Sequence, residues 1–176
     1  FANALMEIGE VPGHVLEDEK AFRAWLQERD VAATDLSLGY MWEAALSRFV
    51  QPLLLAPTFI THFPQDVSPF AKATTDDDGL VERFEIYWGG LEAGNGYSEL
   101  NDPREQRSRM EAMARGGTKE LSEQRVDEDY ILALEHGMPP AAGFGVGIDR
   151  LMMLLTDSAS IRDVILFPLL KPKEVD

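Results

Sequence analysis

The chain has no cysteine, so neither a disulfide framework nor thiolate chemistry at a metal or a nucleophile is open to it. It is also short of positive charge. Sixteen Lys and Arg stand against 31 Asp and Glu, a net charge of −15, the reverse of the footprint that a phosphate-binding surface leaves. A nucleic acid partner would not find its main electrostatic anchor here. No apolar run approaches the about 20 residues of a membrane-spanning helix, and the N-terminus lacks the basic flank and apolar stretch of a signal peptide. No membrane association and a cytoplasmic location are the default expectation. Histidine is scarce: His14 and His62 have no acidic or metal-ligand spacing, and His136 closes a predicted helix, where an imidazole interacts well with the dipole. There is no G-x-S-x-G, and no serine can be tied to a histidine and an acid, so acyl-enzyme chemistry has no support. The chain also opens at Phe1 without a start signal, as expected of part of something longer.

What is present suits one soluble domain. Its 176 residues, 45% of them apolar, suffice for a core. In "EDEKAFRAWLQERD" (17–30) the apolar residues Phe22, Trp25 and Leu26 recur at spacings of three and four, which predicts a helix. A second helix is predicted over 36–50, with Asp35 as its N-cap and Pro52 as its stop. The β-branched and aromatic "PTFITHF" (57–63) predicts a strand, and 65–80 a loop whose acidic run, Asp76 to Asp78, is a solvated turn. Alternation through "VERFEIYW", Gly89-Gly90 and "LEAGNGYSEL" predicts a hairpin. Helices follow over 102–115, capped by Asp102 with Gly116-Gly117 beyond its end, and over 127–137. Then come a Gly-rich strand, "GFGVG", a helix, "IDRLMMLLTD", and a closing apolar run, "VILFP". Hairpin links rather than helical crossovers join the clearest strands, which favours an α+β fold with an antiparallel sheet flanked by helices.

The hairpin carries an unusual load of polar groups. A two-residue turn at Gly89-Gly90 brings Glu85 and Glu92 to one face as diagonal neighbours. Two carboxylates on a sheet face repel unless a cation or proton lies between them, and a divalent metal is the economical partner. Strict alternation would send Asn95, Tyr97 and Glu99 to the other face; a bulge near 93–95, where glycine is at hand, returns them to it. The expected product is a concave wall of three carboxylates, an amide and a phenol, suited to a metal ion or a cationic ligand. The alternative is a solvated outer face, on which such residues are ordinary. "GFGVGIDRL" (143–151) has glycine at every second position, which bares one strand face to a flat ligand or to another backbone, and then opens a helix with Asp149 and Arg150, where anions are favoured. It is neither a dinucleotide fingerprint nor a P-loop.

"RFEIYWGGLEAGNGYSELNDPREQ", followed by "DEDYILALEHGMPPAAGFGVGIDRLMMLLTDSASIRDVILFPLLKP", resembles the C-terminal part of the catalytic domain of class II lysyl-tRNA synthetases, motif 3 included. The match is dense from Pro57 to Pro172. Residues 1–56 resemble only loosely the helical segment that leads into this strand, and are expected to belong to the same domain. The resemblance implies an aminoacyl-tRNA synthetase core in which ATP and lysine form lysyl-adenylate and the lysyl group then passes to tRNA. It implies Mg2+ held by Glu85 and Glu92 against the ATP phosphates, and Arg150 as the catalytic cation, on the adenine or the γ-phosphate. Asn95 and Gly147 join these residues around ATP. Asn95, Tyr97, Glu99 and Gly145 line the lysine pocket, with Glu99 receiving the ε-ammonium. Such enzymes are homodimers when full length. They need positioning and charge neutralisation more than a general base, in keeping with the missing histidine or serine.

Three family features have no counterpart: the dimer-forming motif 1, the arginine-bearing motif 2 and an anticodon-binding domain. The chain alone is therefore expected to be inactive, and its tRNA contact weak. Two other readings are a truncated relative that attaches lysine-type groups to elongation factor P, against which Gly145 speaks because those relatives tend to carry alanine there, and a non-catalytic synthetase-like binding domain.

Overall fold

The structure, a computed structural model, describes residues 1–76, 79–116 and 126–169. Asp77, Asp78, Gly117 and Pro172 lie outside them.

The helical lead-in consists of α1 (Ala2–Glu7), α2 (Gly13–Leu16), α3 (Glu19–Gln27) and α4 (Leu38–Ala45), the last continued by a π-helical turn over Leu46–Val50. In α3 the predicted apolar face is buried through Phe22 and Leu26, and the Asp18 side chain accepts the amides of Lys20 and Ala21 at 2.9 and 3.0 Å, satisfying two of the orphan donors of the first turn. The expected cap of α4 is corrected. Its N-cap is Ser37 rather than Asp35, and the carboxylate that serves it comes from Asp66, which accepts from the Ser37 hydroxyl and, at 3.2 Å, from the Gly39 amide. A Cβ on Gly39 would overlap the Asp66 carboxylate, so glycine is what admits this long-range cap.

Four strands, β1 (Thr58–Pro64), β2 (Leu80–Trp88), β3 (Leu91–Ser98) and β4 (Ala142–Val146), form an antiparallel sheet in sequence order. The β2–β3 turn is Gly89-Gly90, with φ of 58° and 75°; both values lie in the left-handed region that a two-residue hairpin turn of this hand demands. Between β3 and β4 run α5 (Pro103–Gly116) and α6 (Glu128–Glu135). Asp102 caps α5 through the Arg104 and Glu105 amides at 2.8 and 3.3 Å. The buried Gln106 and Arg109 side chains donate to the Pro69 and Ala71 carbonyls at 3.2 and 2.6 Å, and Arg107 forks onto Glu128 of α6 at 2.8 and 2.7 Å. After β4 the chain turns into α7 (Ile148–Thr156).

The two faces of this sheet differ. One packs on the lead-in helices through Ile60, Phe63, Val81 and Tyr87, which join Leu5, Phe22, Leu26 and Met41 in the core. The other presents Phe59, Phe84, Ile86, Phe144 and Val146, among which Phe59 and Phe144 are 61% and 68% exposed. The closing apolar run takes no part in the core: Leu166 and Phe167 are about nine-tenths exposed.

Candidate functional site

The β2–β3 register contains the expected bulge. Ile86 pairs with Gly94 and Tyr87 with Glu92, so Ala93 is the extra residue. Because of it, Glu85 lies opposite Asn95 and Arg83 opposite Tyr97. Residues 83, 85 and 87 of β2 share a face, and across β3 they bring Glu92, Asn95 and Tyr97 to that same face. The row continues onto β4, where Asn95 pairs with Gly145 and Tyr97 with Gly143. Glu99 follows one step beyond β3, its backbone held between Ala71 and the Ala141 carbonyl, 2.9 Å from its amide. The carbonyl of the bulged Ala93 accepts the Gly147 amide at 2.9 Å, which seats the start of α7 beside the bulge.

Seven of the eight residues singled out from the sequence therefore lie on or beside one surface joined by direct contacts or strand pairing. Asn95 Nδ2 donates to Glu92 Oε1 at 3.1 Å. Arg150 Nη1 donates to the Glu92 carbonyl at 2.7 Å and lies 3.5 Å from its carboxylate. Gly145 is the open floor: a Cβ built there has nothing within 4 Å. One built on Gly143 lies 3.7 Å from Glu99 Oε1, so the Glu99 carboxylate reaches over the bare end of β4. Gly147 is the N-cap of α7. The exception is Glu85, which is buried beneath the surface at 6% exposure.

Three residues that carry this arrangement were not among the sequence candidates. Arg83 donates to Glu85 Oε1 at 2.6 Å, and the Tyr87 hydroxyl donates to Oε2. Both were legible, because R, E and Y alternate in "RFEIY" and so share a face. Glu43 of α4, 4.0 Å from Arg83, was not; only the packing of a helix against the sheet brings it there. Burial pushes the Glu43 carboxyl up to about 7, with Arg83 opposing and Glu85, Asp66 and Glu92 adding to the rise. Burial, then the hydrogen bond to Glu85, raises the Tyr87 phenol. Burial followed by the charge of Glu99 raises the phenols of Tyr97 and of Tyr130 in α6, the latter standing edge-on to Phe70 at 6.0 Å.

The donor set suits a hard cation that brings ligands of its own. Among the described residues no three acidic or histidine side chains converge as a metal cage. Magnesium characteristically takes only one or two carboxylates, completing its octahedron with water and phosphate oxygens. Glu85 accepts one hydrogen bond on each oxygen, and a carboxylate oxygen has a second lone pair. Glu92 is about one-third exposed. A cavity of about 590 Å3, bordered by Trp42, Asp66, Leu80 and Met113 among others, shares no residue with this set.

A sheet strand running into a helix with an arginine in its first turn, next to a hairpin that gathers acids on one face, is the layout of a class II synthetase core. The chain belongs to that family: the group described as tRNA synthetases class II (D, K and N) matches over residues 20–171. Among curated proteins the chain is similar to the lysine–tRNA ligase of Wolinella succinogenes, 45% identical over 178 aligned residues that cover all of this chain and 35% of that protein. It is 53% identical to the lysine–tRNA ligase of Synechococcus sp. (strain RCC307), over 80% of this chain and 28% of the relative, and 54% identical to that of Nostoc punctiforme, over 78% and 25%. The chain thus spans roughly a quarter to a third of the lysine–tRNA ligases it matches. No helix among the described residues is long and apolar enough to cross a membrane.

Proposed function

We propose that this chain forms the lysine- and ATP-binding part of a lysine–tRNA ligase, with residues 57–176 as the C-terminal part of the catalytic core and 1–56 as its helical lead-in. The whole ligase would join lysine to ATP as lysyl-adenylate with release of pyrophosphate, pass the lysyl group to tRNA, and work as a cytoplasmic homodimer. The observation that carries the reading is the floor at Gly145: space that the fold itself does not require, bordered by Asn95, Tyr97 and Glu99.

In this reading Glu99 takes the ε-ammonium of lysine, a charge-assisted contact, and Tyr97 lies along the aliphatic stem. Asn95, already bonded to Glu92, sits between amino acid and nucleotide. Arg150, fixed by the Glu92 carbonyl, meets the ATP at its adenine or γ-phosphate, and Gly147 lets the nucleotide approach the helix start. Glu92 and Glu85 would hold magnesium, which would supply charge neutralisation at the phosphates. The residues bind and orient, and no side chain is asked to move a proton. tRNA would be held mainly outside this acidic segment.

The reading is tested by thermal shift with Mg2+–ATP and one amino acid at a time. Lysine is expected to raise Tm, and aspartate and asparagine are not. Glu99→Gln should remove the lysine response and spare that to Mg2+–ATP, while Glu92→Gln should do the opposite. Equal shifts with all three amino acids would sink the assignment of Glu99.

A further inference from the structure

Glu85 is a carboxylate that solvent barely reaches, 6% exposed. Such a group keeps one orientation only where neighbours hold it. Arg83, on the same strand and face, donates from Nη2 to Oε1 at 2.6 Å, and Tyr87 donates its hydroxyl to Oε2. Arg83 is itself fixed from three further directions. Nη1 donates to the Val67 carbonyl at 3.0 Å and to Ser68 Oγ at 2.7 Å, in the turn after β1. The guanidinium lies 4.5 Å from the Phe63 ring centroid, and Glu43 stands 4.0 Å from Nη1. The same turn carries Asp66, which caps α4. A line of contacts therefore runs from the start of α4 through the turn to Glu85.

We propose that Arg83 is the positioning residue of the metal and nucleotide subsite: it ties Glu85 to the turn after β1, so that the carboxylate presents its free lone pairs to a magnesium–ATP complex in one orientation. This rests on the functional reading above and adds to it a residue that touches neither metal nor nucleotide. The role depends on a forked side chain, with one Nη on the carboxylate and the other on a different element. A lysine, with one ammonium, keeps the charge but not both anchors.

The test uses the whole chain and two readouts. Without ligand, nitrogen-15 NMR of the arginine side chains reports on Arg83. With both Nη groups bonded, rotation about Nε–Cζ is slow and separate Nη1 and Nη2 signals are expected, which Glu85→Ala, by removing the acceptor of Nη2, merges. One averaged Arg83 signal in the wild-type chain overturns the proposal. In the second readout Mn2+ stands in for magnesium, and bound manganese is counted by electron paramagnetic resonance in the presence of ATP. Residues that orient metal ligands are worth about 10- to 100-fold in metal affinity, and Arg83→Met is expected to lose that much while affinity for metal-free ATP stays unchanged. Arg83→Lys should recover part of the loss. Ser68→Ala, which leaves every charge in place and guards against a misfolded Arg83 variant, should lose less than Arg83→Met and in the same metal-dependent manner. Equal losses with and without metal, or full Mn2+ affinity in both Arg83→Met and Ser68→Ala, would overturn the inference. Should the wild-type chain not bind Mn2+–ATP while Arg83 gives resolved signals that Glu85→Ala merges, the functional reading fails and the tether stands.

Discussion

Two rows of glycine cross the same sheet, and they answer to different demands. On β3, Gly94 and Gly96 are required by packing: a Cβ at Gly96 would come within 2.6 Å of Phe144 Cβ and 2.8 Å of both the Gly143 carbonyl and the Phe84 ring, and one at Gly94 within 2.5 Å of the Gly145 carbonyl. On β4, Gly143 and Gly145 face the opposite side, where a Cβ would meet nothing closer than 3.7 Å and nothing within 4 Å, respectively. The first row lets strands and aromatic rings close up on the apolar face. The second leaves room beside Asn95, Tyr97 and Glu99 that the folded chain does not use. A glycine that packing does not explain points to a ligand, and this contrast, more than the number of acids nearby, separates the candidate site from the rest of the sheet.

The contrast can be broken by substitution. Gly96→Ala should have the largest effect, a loss of about 2–3 kcal/mol in urea unfolding, because the Phe84 ring can give way but the Gly143 carbonyl and the Phe144 Cβ, set by the backbone of β4, cannot. Glu43→Gln tests the crowded charge beneath the polar face and should act in the other direction. Its carboxyl has a folded pKa of about 7 against an ordinary 4.5, so the native state binds more protons than the unfolded chain across that window. Wild-type stability therefore falls as pH rises through it. Glu43→Gln should gain a few degrees in Tm over wild type at pH 8 and none at pH 4.5; an equal gain at both would remove the proton from the explanation. Gly145→Ala should have the smallest effect on stability, within about 0.5 kcal/mol in the same urea experiment, while abolishing the thermal response to lysine. A loss as large as that of Gly96→Ala would merge the two rows into one packing device.

How far the sequence leads depends on whether the cause is local. Alternation and the Gly89-Gly90 turn define the hairpin, and the glycines around Ala93 announce the bulge that reunites Glu92 with Asn95 and Tyr97; these are nearest-neighbour effects, read along one strand pair. The cap of α4 is not of that kind. Asp35 has the right chemistry but lies two residues before the N-cap, Ser37, and the carboxylate that does the capping, Asp66, is 27 residues from the Gly39 amide it accepts. Arg83 and Tyr87 are within reach of the same alternation that places Glu85, since the three share one face of β2. Glu43 depends on how a helix docks against the sheet, for which no short stretch holds a signal. The closing apolar run near 166 is exposed among the described residues, since hydrophobicity states a need for burial and not what meets it.

The most direct test is a residue-resolved NMR titration of the isotope-labelled chain with Mg2+–ATP and lysine. The account predicts that the Asn95 side-chain amide, the Gly145 amide and the Arg150 side chain shift together, while the methyl groups of Ile86 and Val146 on the opposite face stay in place. Shifts confined to Ile86 and Val146, with Asn95 and Gly145 unmoved, would contradict it.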